Sequence, residues 1–195
     1  MKTIGLTGGV GMGKSAADSL LRRRGFAVID TDLLARELVQ PGQPALKEII
    51  AAFGEKVVQD DGHLNRRELA GLVFASKEAR ERLESILHPG IRDLWKSQVE
   101  SWKLEGKTLA FVIIPLLFET QAEKEVTATI CVACSAPTQE ARLATRGWSP
   151  EQIRQRVDSQ LPIRDKMARS DFVLWNESSL EVLDSQLEMI LKRIA

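Results

Sequence analysis

The residues Gly8-Gly9-Val10-Gly11-Met12-Gly13-Lys14-Ser15 follow the spacing G-x-x-x-x-G-K-[ST]. Each residue type there suits the holding of a polyphosphate. Glycines let backbone N–H groups turn inward and close on phosphate oxygens. A helix starting at the lysine adds its positive end. Lys14 has the reach for the β- and γ-phosphates of a nucleotide, and Ser15 carries the hydroxyl that ligates Mg²⁺ beside them. The candidate nucleotide-binding residues are Gly9, Gly11, Met12, Gly13, Lys14, Ser15 and Ala16. The cradle alone leaves GTPases, motor ATPases and small-molecule kinases open.

Transfer of a phosphoryl group also needs an acceptor site and a base. Asp30 and Asp32 follow the apolar run 27–29. If that run is a parallel strand, both carboxylates lie past its carboxyl end, where open α/β sheets bind ligands. A carboxylate there can accept the proton of an acceptor hydroxyl. Asp32 has a second reading, as an acid that complements a helix N-terminus. Asp30 can instead orient water on Mg²⁺ or serve the structure. Further along, Arg142 and Arg146 are four apart in a helical pattern and so are expected on one face. Guanidinium groups suit bidentate contact with phosphate. The alternative is a solvated face with surface ion pairs.

The elements that must position these residues are legible as short apolar runs at 3–7, 27–29, 109–114, 129–133 and 172–174. They lack strict alternation, as strands buried on both faces of a parallel sheet do. Helical patterns fill the gaps, which makes the class α/β. The first helix is expected over 14–24, stopped by Gly25, and a second from near Asp32 to before Pro41-Gly42. The stretch 45–102 holds no strand pattern. Its Ile91, Leu94, Trp95, Val99 and Trp102 recur at helical spacing and read as core. The segment 138–169 is helical, polar and rich in arginine, with Ser149-Pro150 as a helix start. An amphipathic helix over about 179–194 closes the chain.

Composition narrows the class. Lys plus Arg number 27 and Asp plus Glu number 27 in 195 residues, so nothing global favours nucleic acid or an anionic membrane. No apolar run reaches membrane-spanning length, and the start has no signal-peptide architecture, so a cytoplasmic protein is expected. Cys131 and Cys134 form a CxxC on an expected strand. Side chains three apart on a strand face opposite ways, and no second pair or nearby histidine completes a zinc set. They read as core residues.

The motifs together resemble the dephospho-coenzyme A kinase family. Leu6-Thr7-Gly8-Gly9-Val10-Gly11-Met12-Gly13-Lys14-Ser15 resembles its LTGGIGSGKS, and Asp30-Thr31-Asp32-Leu33-Leu34-Ala35-Arg36 its DAD-x-x-AR. Asp61-Gly62-His63-Leu64-Asn65-Arg66-Arg67-Glu68-Leu69 with Val73-Phe74 resembles DG-x-L-x-R-x-x-L…VF. Leu87-His88-Pro89 and Pro115-Leu116-Leu117-Phe118-Glu119 resemble LHP and PLLFE. Arg142, Arg146, Arg156, Gln160, Lys166, Asp171 and Asn176 follow the family's lid and C-terminal pattern. The departures are Thr31 for Ala, Met12 for Ser and Ala16 for Thr, and none removes a residue to which chemistry is assigned.

The resemblance implies an enzyme that uses ATP and Mg²⁺ to phosphorylate the ribose 3′-hydroxyl of dephospho-coenzyme A. It implies a three-layer P-loop kinase fold: a five-stranded parallel sheet, a helical substrate lobe and a helical lid. The expected organisation is one domain over 1–195, with core at 1–40, 106–137 and 170–195, lobe at 41–105 and lid at 138–169. Asp32 is then the base, Lys14 neutralises the transferred group, Ser15 holds Mg²⁺, and Arg142 and Arg146 clamp the phosphates. Asn176 is expected near the adenine; Arg66, His88 and Glu119 are expected on the substrate side. No nucleic acid or membrane partner is expected, and the chain is expected to be a monomer or a weak homo-oligomer. The rival class is a P-loop switch, but no Asn-Lys-x-Asp guanine motif occurs, since neither Asn65 nor Asn176 begins one.

Overall fold

The computed structural model describes residues 1–194 apart from the side chain of Phe74. That side chain, from the Val73-Phe74 motif, and Ala195, from the expected core, lie outside the described residues. The chain divides into two compact units, residues 1–30 with 101–195, and residues 31–100.

The first unit is built on β1 (Lys2–Gly8), β2 (Ala27–Asp30), β3 (Leu109–Ile113), β4 (Ala128–Ala133) and β5 (Phe172–Trp175). These are the five apolar runs of the sequence. They pair in parallel in the order β2-β3-β1-β4-β5. Leu6 stands opposite Ile113 on one side and Ile130 on the other, so β1 is the central strand. Parallel strands need crossover helices, which cover both faces of the sheet.

One face carries the large residues. Ile4, Leu6, Phe111, Ile113, Ile130 and Val132 pack against the helices α1 (Lys14–Arg23) and α9 (Leu180–Ile194). The alternate residues on the other face include the small Gly5, Ala110, Cys131 and Ala133, beside Val112 and the threonines Thr3, Thr7 and Thr129. A Cβ at Gly5 would stand 3.2 Å from the side chains of Leu117 and Val126, so the chain after β3 lies close there. The helix α8 (Ile163–Arg169) also packs on this face, against β1 and β4. At the sheet edge, Trp175 N–H donates to Gln186 Oε1 at 2.9 Å and Gln186 Nε2 donates to Trp175 O at 3.0 Å. A side-chain amide thus takes up backbone groups that an edge strand would leave open.

The arginine-rich segment forms α6 (Ala136–Ala144), α7 (Pro150–Asp158) and α8. Ser149 caps α7 in a full capping box with Gln152, as the Ser-Pro pair suggested. One expectation fails here. The helix α6 ends at Ala144, Thr145 caps it, and Gly147 turns the chain at φ 80°. Arg142 and Arg146 therefore do not share an unbroken helical face.

The second unit contains α2 (Thr31–Leu38), α3 (Pro44–Phe53), α4 (Arg66–Ala75) and most of α5 (Lys77–Leu104). It has no strand among its described residues; Val58 and Leu64 form an isolated bridge across the turn at Gly62. Val39, Leu46, Ile49, Val57, Leu64 and Leu69 make its core. Trp95 and Val99 of the aromatic stripe are buried, but Leu94 is 39% exposed. At 3.6 residues per turn Leu94 falls on the flank of the stripe rather than its centre.

Candidate active site

The P-loop is the link between β1 and α1. Gly8 has φ 147°, and a Cβ there would lie 2.2 Å from the carbonyl oxygen of Val132 on the neighbouring strand. Gly13 has φ 105°, and its Cβ would lie 1.9 Å from Asn176 Nδ2. Neither position admits a side chain, so the spacing of the glycines is set by packing as well as by ligand. Lys14 opens α1, and its Nζ donates to the carbonyls of Gly8 at 2.9 Å and Gly9 at 3.1 Å. The ammonium therefore lies across the loop it serves. Ser15 is exposed in the first turn of α1, beside the positive end of the helix.

Side chains from the far end of the chain hold this loop. Asn176, buried just past β5, donates from Nδ2 to the Met12 carbonyl at 3.0 Å. Gln139 Nε2 donates to Val10 O at 2.7 Å, and Val10 N–H donates to Gln160 Oε1 at 3.1 Å. Both backbone polar groups of Val10 are thus engaged by the α6–α8 segment. Gln139 carries no sequence signal for this: it is a polar residue on a helix, distinguished only by its burial.

Arg142 stands on α6, half-buried, with Nη1 enclosed and without a hydrogen-bond partner. A guanidinium nitrogen in that state has donor capacity to offer an anion. Its charge reaches Cys134 and Glu177. Burial pushes the Cys134 thiol above its ordinary pKa, and Arg142 offsets part of that. Glu177 is held below the usual carboxylate range by the Ser135 N–H, then by the Thr138 and Ser135 hydroxyls, with Arg142 adding to the effect. Arg146 is exposed beyond α6. Arg156 stacks over Trp148 with its guanidinium carbon 4.2 Å from the ring centre. Asp171 ties β5 to β4, accepting from the N–H and hydroxyl of Thr129 at 2.8 Å each.

Glu119 is engaged on this side of the molecule. Its Oε1 lies 2.8 Å from Lys166 Nζ and accepts the Leu161 N–H at 2.8 Å. The carboxylate expected to meet substrate is therefore occupied by a lysine whose side chain is 0% exposed.

Asp32, Arg66 and His88 stand on three helices of the second unit. Asp32 is in the first turn of α2, two residues after β2 ends at the carboxyl edge of the sheet. Arg66 opens α4 after the Asn65 cap. His88 is half-buried in α5, and burial lowers its pKa against the opposing pull of Glu84. Among the described residues no three acidic, histidine or cysteine side chains cluster as a metal cage. No described helix is long and apolar enough to cross a membrane. A cavity of about 730 Å³ opens at the other, amino edge of the sheet, lined by Lys2, Arg24, Phe26, Leu109, Leu191 and Lys192.

The profile of the family described as dephospho-CoA kinase matches residues 2–181, nearly the whole chain. The chain belongs to the dephospho-CoA kinase family. A dephospho-CoA kinase of Bdellovibrio bacteriovorus is 40% identical over 192 residues, covering 98% of this chain and 96% of its own. Among solved structures, a Thermus thermophilus protein superposes with TM-score 0.84 at 34% identity, over 100% of this chain and 98% of its own. The dephospho-CoA kinase of Campylobacter jejuni superposes with TM-score 0.72 at 27% identity, over the same shares. The α/β fold with five parallel strands is thus the fold of these relatives, and the family is one of ATP-using kinases.

Proposed function

We infer that this chain transfers the γ-phosphoryl group of ATP to the ribose 3′-hydroxyl of dephospho-CoA, giving coenzyme A and ADP in the last step of coenzyme A synthesis. The observation that carries this is a complete P-loop, with its lysine across the loop and an enclosed, unpartnered Nη1 of Arg142 on α6, in a chain matched by the family over 2–181.

The 3′-oxygen attacks the γ-phosphorus, the bond from that phosphorus to the β-γ bridging oxygen breaks, and the hydroxyl proton passes to the Asp32 carboxylate. The position of Asp32 just past the end of β2 supports that role. Lys14 and Arg142 hold the phosphate charge, with Arg146 on the exposed turn beyond α6. The backbone of Gly9, Gly11, Met12, Gly13 and Ala16 surrounds the phosphates. Asn176 braces this wall through Met12 and lies on the nucleotide side.

The donor set fits Mg²⁺. This ion keeps waters and phosphate oxygens and asks for only one or two protein ligands, and the exposed Ser15 hydroxyl is one. When bound it would neutralise developing charge on the phosphates. Arg66 and His88 line the acceptor lobe at 41–105, while 138–169 is the lid of a single domain. Glu119, expected on the substrate side, has its Oε1 held by Lys166 and Leu161. The enzyme works in the cytoplasm as a monomer or weak homo-oligomer.

The test is ADP release with Mg·ATP and dephospho-CoA, against AMP, shikimate and no acceptor. Release with dephospho-CoA alone, and a coenzyme A product by mass, is expected. Turnover with another acceptor, or none, overturns the assignment.

A further inference from the structure

We propose that Lys166 and Glu119 are positioning residues for the nucleotide: their buried ion pair anchors the turn before α8 and so sets the shape of the P-loop. The proposal rests on the ATP-kinase reading above.

Lys166 is fully buried on α8, and an ammonium there is costly unless it is paired and hydrogen-bonded. Its Nζ donates to Pro115 O at 2.7 Å and pairs with Glu119 Oε1 at 2.8 Å. A well-packed apolar residue would serve stability at least as well as a buried ion pair. What the pair adds is direction, because each bond has a required angle and length.

Those bonds form a path that leaves the P-loop strand and returns to it. Thr7 Oγ1 donates to Pro115 O at 3.1 Å, the same carbonyl that Lys166 uses. From Lys166 the path passes to Glu119 and on to the Leu161 N–H. Leu161 follows Gln160, whose Oε1 accepts the Val10 N–H at 3.1 Å. Thr7 and Val10 flank Gly8 and Gly9, whose carbonyls receive Lys14. Burial drives the thiol of Cys131 up, while both Lys166 and Lys14 pull it down, so the two ammonium groups share one neighbourhood. Cutting the path at Lys166 or Glu119 frees the turn that carries Gln160. The Val10 N–H then loses its partner, leaving only the Gln139 bond to its carbonyl, and the carbonyls that hold Lys14 shift with it. The acceptor site has no link in this path.

The test uses the full chain carrying Lys166→Met, which keeps the stem and removes the charge, Glu119→Gln, and the double variant. Direct titration with ATP alone gives Kd, and steady-state kinetics give separate KM values for ATP and dephospho-CoA. For Lys166→Met, the expected result is a rise of about tenfold in Kd and KM for ATP, as for loss of a charge-assisted bond. KM for dephospho-CoA should stay within about twofold, and the double variant should cost less than the sum of the singles. A purely structural role predicts a lower Tm and a smaller active fraction with ATP affinity unchanged. That outcome overturns the proposal, as does additivity. If Lys166→Met does not fold, Gln160→Met severs only the last link, and unchanged ATP affinity there overturns the proposal equally. Wild-type protein that binds no ATP overturns the kinase reading instead.

Discussion

Asn176 Nδ2 stands 3.0 Å from the Met12 carbonyl and leaves no room for a Cβ on Gly13, which would come within 1.9 Å of it. The last strand and the P-loop are therefore in contact through one amide. Gly13→Ala meets both this clash and a left-handed backbone at φ 105°. It should destabilise by roughly 1–3 kcal/mol from backbone strain alone. Asn176→Ala relieves the clash and not the strain, so the double variant should melt above the sum of the single losses. Thermal unfolding of the three variants checks this; strict additivity would show the contact to be unimportant.

Asp32→Asn removes a proton acceptor and keeps the shape of the side chain. Because general base catalysis contributes about 100-fold or more, kcat should fall by at least that much. ATP affinity should be unchanged, since the P-loop is untouched. Near-normal turnover in the variant would take Asp32 out of the reaction.

Arg142→Ala takes away a guanidinium whose Nη1 is enclosed and unpartnered. A charged hydrogen bond to phosphate is worth about 1.5–3 kcal/mol, so kcat/KM for ATP should fall about tenfold or more. Arg146→Ala should fall less, because Arg146 lies on an exposed turn. Equal losses at the two positions would count against the distinction that the end of α6 draws.

Glu177 accepts bonds from Ser135 and Thr138, the first of them from the Ser135 N–H at 2.8 Å. These bonds hold its folded pKa below the unfolded value of 4.5. Its contribution to stability is therefore fully present above 4.5 and is lost as pH falls through the folded value. Glu177→Gln should lower Tm at neutral pH, where the ionised carboxylate contributes, and leave the acid end nearly unchanged, so the acid limb of a Tm-against-pH curve flattens. An acid limb identical to wild type would assign the loss to other carboxylates.

Burial pushes the Cys131 thiol up to about 11, and Cys134 is also raised by burial. Few thiolates exist at neutral pH, and the thiolate is the reactive form. Neither cysteine should react with iodoacetamide at pH 7.5 until the chain is unfolded in denaturant. Rapid labelling of native protein, read by mass, would reopen a redox role for the CxxC.

The five strands and the P-loop were legible in the sequence because each depends on neighbours along the chain; burial on both faces failed for the edge strand β5, whose Val173 and Trp175 are exposed. An apolar run makes its own strand, and glycines beside a lysine make their own loop. Capping was legible for the same reason, as at Ser149 and Gln152. Two other local readings failed where packing decides the end of a helix or the side that faces inward: Arg146 lies past the end of α6, and Leu94 is exposed. The residues themselves determined that this chain cradles phosphate on an α/β sheet. Only the tertiary structure decided what holds the cradle. Gln160 reaches Val10 across 150 residues of sequence, and Lys166 reaches the Pro115 carbonyl across 51. No periodicity connects such pairs. Their bonds form only after the sheet order has brought those segments together, and it was folding that turned Glu119 toward a lysine.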